Sequence, residues 1–387
     1  MKRILSLDGG GIRGVFTLEV LVKIEELLHD YYAKQDPEKA KTFVLRDHFD
    51  FLAGTSTGAI IATCLCWGMS AKEVRTLYHQ EGRKMFELIS WRHPLRKLFS
   101  RYDPKPISDF LQGLFLERDG TVATLASPRL REGPRKNFLM VVVRNHTTGS
   151  AWPLTNNPDA IYNDPKRPDD NRQIPLWQLV RASTAAPVFF PPEKVILGGV
   201  ESVFVDGSIT PYSNPALIAA LTAILPGYHM NWPTGPDKIR VVSIGTLAFS
   251  SELSVAHPSL WLGALAAKIP AALLQSMGWQ QDYLCRSLGE CLYGEMLDGE
   301  VGFLVDALDA ERKDSEGNCT FPVWRPRPAE SWFSYVRYNR TFKKAEMLEI
   351  LDKYPNLARL DAVDGIPHLI AVGQKYAEEH VKLEHLV

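Results

Sequence analysis

The chain has 387 residues, 45% of them hydrophobic and 23% charged, which suffices for a substantial core in one large domain or two smaller ones. A formal net charge of −1 argues against a nucleic acid polymer as the main partner, because neutralising phosphates needs a basic excess. Five cysteines (Cys64, Cys66, Cys285, Cys291, Cys319) are odd in number and lack metal-ligand spacing, which fits reduced thiols and a cytoplasmic setting.

Lys2–Leu7 reads as a strand, and its apolar run leads directly into the glycine-rich turn Asp8-Gly9-Gly10-Gly11-Ile12-Arg13-Gly14. Met1-Lys2-Arg3 has the charge of a signal-peptide start, but Asp8 cuts the apolar stretch short, so no targeting segment is expected. Gly11 to Asp30 has helical periodicity, with Val20, Ile24, Leu27 and Leu28 on one face. Glu19, Lys23, Glu26 and Asp30 form the opposite face, expected to meet solvent. Phe49–Ala53 reads as a second strand, followed by Gly54-Thr55-Ser56-Thr57-Gly58 and a mostly apolar, buried helix over Thr57–Gly68. The spacing Ser70-Ala71-Lys72-Glu73 is that of a capping box and predicts another helix start.

Trp91 to Tyr102 interleaves Arg92, Arg96, Lys97 and Arg101 with Trp91, Leu95, Leu98 and Phe99, and holds no acid. It suits either a seat on an anionic bilayer or a basic solvated face backed by the core. Phe138–Val143, Ser202–Val205 and Ile239–Ile244 read as further strands, the second ending at Asp206-Gly207-Ser208. Asn145 to Asn171, rich in Asn, Asp, Pro and Thr, reads as a long surface excursion with the character of a lid. Strand and helix patterns alternate to about residue 250, the mark of an α/β fold with a mostly parallel sheet. Residues 1–250 are therefore expected as one α/β domain. Residues 251–387 are expected as a mainly helical region packed on it, with a regulatory role. The most apolar late stretch, Trp261 to Leu274, is broken by Lys268 and Pro270, and no run nears the roughly 20 residues of a membrane span.

Three segments carry chemistry. Gly-x-Ser-x-Gly between a strand and a helix forms a sharp turn that lifts the Ser56 hydroxyl clear of the sheet, with a helix N-terminus behind it. Backbone N–H groups of Gly9, Gly10 and Gly11 can approach a reacting carbonyl as an oxyanion hole, with Arg13 adding positive charge nearby. Asp206, at a strand end, can take the Ser56 proton if the two meet within about 3 Å. Together they are the parts of a serine acyl hydrolase.

Other readings stay open at this stage. Gly9-x-Gly11-x-x-Gly14 also matches a dinucleotide fingerprint, although the acids about 20 residues on (Glu25, Glu26, Asp30) fall in a helix rather than at a strand end. A Ser-His-Asp esterase or thioesterase acting on soluble esters would need one of His229, His257, His368, His380 or His385, all of which follow Asp206. A scaffold without catalysis is the third reading.

The ordered set Asp8–Gly14, Gly54–Gly58 and Asp206–Gly207 resembles the patatin-like phospholipase family. So do the stretches Arg181 to Pro192 and Val241 to Thr246, the likeness covering about residues 1 to 250. The resemblance implies a three-layer fold with helices flanking a mostly parallel central sheet. It also implies a catalytic dyad, Ser56 as nucleophile and Asp206 as base, with Gly9, Gly10, Gly11 and Arg13 around the oxyanion. Ser208 departs from the glycine or alanine usual after Asp-Gly. The implied substrate is a membrane phospholipid reached by peripheral contact at the inner face of the membrane, with no cofactor and no metal. The layout is similar to bacterial members that act as antiphage effectors switched on by cyclic nucleotides, so latency until such a ligand binds is an expectation, and a homo-oligomer stays open.

Overall fold

A computed structural model describes residues 1–85, 100–249, 262–295, 297, 331–342, 344–354, 357, 359–361 and 363–387. Its centre is a nine-stranded sheet. Strands β1 (Lys2–Leu7), β2 (Phe51–Thr55), β3 (Phe138–Asn145) and β7 (Ile239–Ile244) form a parallel core. Strands β4 (Ser150–Thr155), β5 (Glu193–Leu197) and β6 (Val200–Asp206) join it antiparallel.

Both faces of the parallel core strands are covered, which explains why these strands read as largely apolar runs. The side-chain period of two then divides each strand between two cores. Leu5, Leu7, Leu52, Val141, Val143, Val242 and Ile244 enter one core, with α1 (Gly14–Ala33) and α2 (Thr57–Cys66). Ile4, Phe51, Ala53, Met140, Val142, Ile239 and Val241 enter the other, with Ala216, Ala219, Ala220 and Ala223 of a later helix (Ala216–Ile224).

The register of β3 decides where the site forms. Its residues Met140 to Asn145 pair with β4 along one edge. On the opposite edge β2 ends with Thr55 against Val142, and β6 arrives from the other direction with Asp206 against Val143. Two strands far apart in sequence thus meet end to end.

Several expectations are corrected. The second strand is Phe51–Thr55 rather than Phe49–Ala53, because Asp50 is used as an anchor: its carboxylate accepts from the Arg3 N–H at 2.9 Å and from Lys2 Nζ at 3.1 Å. The first helix starts as a 3₁₀ turn, Gly11–Arg13, and runs on to Ala33. Its Glu19 is buried, not solvated, because helices pack on both flanks of α1: Arg75 of Ala71–Met85 and Gln374 of Ile366–His380 each reach Glu19 Oε2 at 3.2 Å. Ser70 and Glu73 do form the expected capping box, each accepting the other's backbone N–H.

Part of the Asn145–Asn171 excursion is strand β4. The asparagines after it stitch the chain to the sheet: Asn156 Oδ1 accepts from the Leu139 N–H at 2.8 Å, and Asn163 Nδ2 donates to the Thr155 and Asn157 carbonyls. Beyond residue 250 the chain supplies more than helices. Glu290–Tyr293 and Ser334–Tyr338 add two parallel strands beside β7, so the sheet runs on past that position. These are β9 and β10; a two-residue strand, β8 (Ala248–Phe249), precedes them. A long helix, α3, spans Leu262–Leu288. Among the described residues no helix is long and apolar enough to cross a membrane. Residues 91–99 of the basic stretch lie outside the described residues; at its end the exposed Arg101 pairs with the buried Asp361 at 3.0 Å.

Candidate active site

Ser56 sits between β2 and α2 with φ 55° and ψ −122°, a strained conformation for a non-glycine residue that costs on the order of 1–3 kcal/mol. The surroundings hold it there. A Cβ on Gly54 would fall 2.2 Å from the Gly58 carbonyl oxygen, and one on Gly58 would fall 2.2 Å from that of Leu7. Only glycines permit this approach. The Ser56 N–H donates to Ser183 Oγ at 2.9 Å, and the Ser183 hydroxyl donates onward to the Val142 carbonyl at 2.7 Å. Ser183 thereby bridges the turn to β3.

The Ser56 hydroxyl donates to Asp206 Oδ2 at 2.6 Å. The other oxygen, Oδ1, accepts the Ser208 N–H at 2.7 Å, which fixes the carboxylate plane. Asp206 is 1% exposed. Burial raises its pKa to about 6, against the hydrogen bonds from Ser56 and Ser208 and the charge of buried Arg181, which act in the opposite direction. It is therefore ionised at neutral pH yet far more basic than an exposed aspartate, which suits a proton acceptor.

The glycine-rich turn lies beside this pair: a Cβ built on Gly9 would stand 3.2 Å from Ser56 Cβ. Its three glycines are not equivalent. The Gly9 N–H donates to the Ser213 carbonyl at 2.9 Å, so the expectation that it serves an oxyanion is corrected. The Gly10 and Gly11 N–H groups donate to no acceptor among the described residues and remain available. Gly11 has φ +59°, and a Cβ there would lie 2.3 Å from the Leu360 carbonyl oxygen. Thr246 secures the turn by donating from Oγ1 to the Gly9 carbonyl at 2.9 Å. Arg13 lies next to it, its Nε donating to the Gly10 carbonyl at 3.4 Å; burial lowers its pKa to about 10 and leaves it cationic.

The rival chemistries find little support. No described histidine hydrogen-bonds Ser56 or Asp206, and His257 lies outside the described residues. His385 stacks on Tyr293 and His368 on Tyr354, and His380 lies tilted against Tyr376. The second strand ends without an acid, and Asp8 is bound by Arg337 Nη1 and Nη2 at 2.9 and 2.5 Å, which leaves no dinucleotide fingerprint complete.

Ser183, Thr246, Arg337 and Leu360 were not singled out from the sequence. Ser183 and Thr246 lie in stretches that carried the family resemblance, but nothing in their spacing shows what they touch. Arg337 was legible only as a lone cation inside an aromatic, β-branched run, Ser334 to Tyr338.

A family profile described as patatin-like phospholipase matches residues 5–220, spanning the glycine turn, Ser56 and Asp206. A cGAMP-activated phospholipase of Vibrio cholerae is 26% identical over 264 residues, 65% of this chain and 66% of that protein. One from Escherichia coli is 27% identical over 313 residues, 79% of this chain and 78% of that one. The match thus spans just under two thirds of the Vibrio protein's length. The solved structure of VipD from Legionella pneumophila aligns over 96% of this chain and 67% of its own, with 14% identity and a TM-score of 0.34.

Proposed function

The chain belongs to the patatin-like phospholipase family, and from that premise we propose that it is a lipid acyl hydrolase that cleaves fatty-acyl esters of membrane phospholipids through Ser56 and Asp206. The observation that carries this reading is the 2.6 Å contact between a strained, turn-borne serine hydroxyl and a buried carboxylate.

The cycle has two halves. Ser56 Oγ attacks the ester carbonyl while Asp206 takes its proton, and the oxyanion is received by the Gly10 and Gly11 N–H groups. Collapse expels the lysophospholipid alkoxide, which takes the proton from Asp206, and leaves the acyl group on Ser56. Water then attacks the acyl carbonyl and gives its proton to Asp206. The second collapse releases the fatty acid, and Ser56 regains its proton from Asp206. Each oxyanion donor is worth on the order of 10²–10³ in rate.

Two features favour control by a cyclic nucleotide: the names of the Vibrio and Escherichia relatives, and the hazard an unrestrained lipase poses to its own bilayer. The enzyme is read as latent in the cytoplasm and peripheral at the inner membrane face when active. Labelling with a fluorophosphonate, located by peptide mass spectrometry, tests the nucleophile. Modification of Ser56 alone supports it, and modification elsewhere with Ser56 untouched rejects it. Fatty-acid release at full rate from vesicles without nucleotide, unchanged by a cyclic-dinucleotide panel, rejects the control.

A further inference from the structure

The glycine turn is gripped at both ends by residues from beyond position 330. At its start, the Asp8 carboxylate receives two hydrogen bonds from the Arg337 guanidinium on β10, at 2.9 and 2.5 Å, both side chains being buried. Arg337 Nη1 also donates to Ser243 Oγ at 2.7 Å. Behind it stands Asp282 of α3, 3.8 Å from Arg337 Nε and bound in turn by Arg286 at 3.0 and 3.2 Å. At the other end, the Ile12 N–H donates to the Leu360 carbonyl at 2.9 Å, the same oxygen that crowds Gly11. The neighbouring Asp361 is buried and held by Tyr102 Oη at 2.5 Å, Arg101 at 3.0 Å and Arg359 at 2.9 Å.

Gly10 and Gly11, whose N–H groups are free among the described residues, lie between these two anchors. We infer that Arg337 and the Arg359–Asp361 segment are positioning residues that aim the Gly10 and Gly11 N–H groups at the developing oxyanion. The inference rests on the hydrolase reading above. A buried ion pair is weak evidence for stability, because an apolar pair of equal volume often serves as well. What the bidentate fork supplies is orientation. Asp8 precedes the donors directly, so a turn of the carboxylate turns the peptide planes that follow. The carbonyl of Leu360 fixes the far side, where the left-handed Gly11 would otherwise be free to rotate. The C-terminal part of the chain, which lies outside the family match, is on this view a working part of the oxyanion site.

The test compares wild type, Arg337→Lys and Tyr102→Phe in the full chain on a water-soluble butyrate ester. Arg337→Lys keeps the charge and loses the fork; Tyr102→Phe removes one anchor of Asp361. Active sites are counted with a fluorophosphonate, so a loss of folded protein lowers the count and not the rate per site. The expected result for Arg337→Lys is a fall in kcat per counted site of roughly 10- to 100-fold, with KM within about twofold. Affinity for a trifluoromethyl ketone, whose adduct carries an oxyanion, falls by the same factor. Tyr102→Phe shows the same pattern at about threefold or more. Unchanged kcat per site and unchanged ketone affinity in both variants overturn the inference and leave these contacts structural. All three proteins are assayed with and without a panel of cyclic dinucleotides, and a wild type that neither labels nor hydrolyses under any of these conditions overturns the hydrolase reading instead.

Discussion

Thr55 and Asp206 pair with consecutive residues of one strand, Val142 and Val143, on the same edge of β3. That one-residue offset, and no local motif, brings Ser56 within 2.6 Å of a carboxylate 150 positions away. Ser183 ties the same point from a third side, linking the Ser56 N–H to the Val142 carbonyl. Ser183→Ala leaves the buried Ser56 N–H unpaired, at a cost of about 1–3 kcal/mol. Urea denaturation is expected to show that loss, with kcat on a soluble ester reduced as the strained turn relaxes.

With Asp206 as the proposed base, its raised pKa is expected to set the acid limb of activity. A base must be unprotonated, so the rate is expected to fall tenfold per pH unit below about 6 and to level off above it. A titration of kcat/KM on a soluble ester between pH 4.5 and 8 reads this directly. An acid limb near the ordinary aspartate value, about 4, would mean that the buried environment is not felt by the reacting base.

Ser208 should be replaceable, because the contact that orients Asp206 comes from its backbone N–H. Ser208→Gly is expected to keep kcat within about threefold. Gly9→Ala should fare worse, since its Cβ would fall 2.1 Å from Ser208 Oγ. The two changes are close enough to couple. Gly9→Ala combined with Ser208→Gly is expected to be more active than Gly9→Ala alone, and a double-mutant cycle measures it.

Gly10→Ala places a methyl group 2.1 Å from Thr246 Oγ1 and displaces a proposed oxyanion donor. A loss of at least about 10²-fold in kcat is expected, with little change in KM. Steady-state kinetics on a soluble ester separate the two. A rise in KM alone would place the donor elsewhere.

His48 is buried, accepts from Tyr32 Oη at 2.9 Å on Nδ1 and donates from Nε2 to the Leu386 carbonyl at 3.2 Å. Burial, helped by the nearby arginines, lowers its pKa to about 3. Because the folded value lies below the ordinary histidine value of about 6.5, the neutral ring contributes stability above that pH. The contribution is lost as pH falls towards 3. Wild type is expected to lose stability below about pH 6 more steeply than His48→Gln, by up to about 1.4 kcal/mol per pH unit in urea denaturation.

The Ser56–Asp206 contact was foreseeable because each member is announced locally. Ser56 sits between two glycines after an apolar run, and Asp206 precedes a glycine at a strand end. What holds the pair was not legible, since Ser183, Thr246 and Leu360 act through contacts made by distant elements. The assignment of Gly9 failed for the same reason: the Ser213 carbonyl that takes its N–H lies more than two hundred positions away. Glu19 misled because amphipathic periodicity assumes that one helix face meets water, and α1 has neighbours on both flanks. The late strands were hidden by composition. In β10 the cation Arg337 interrupts an aromatic run, and the charge there is explained by Asp8 and Asp282, which come from distant elements.

Hydrolysis of phospholipid esters by the proposed Ser56–Asp206 pair is read most clearly from fatty-acid release from mixed phospholipid vesicles. Wild type, Ser56→Ala and Asp206→Ala are compared, each with and without a panel of cyclic nucleotides. The expected result is release by wild type under its activating condition and a loss of about 10³-fold or more in both variants. Release that survives Ser56→Ala at the wild-type rate would contradict the account.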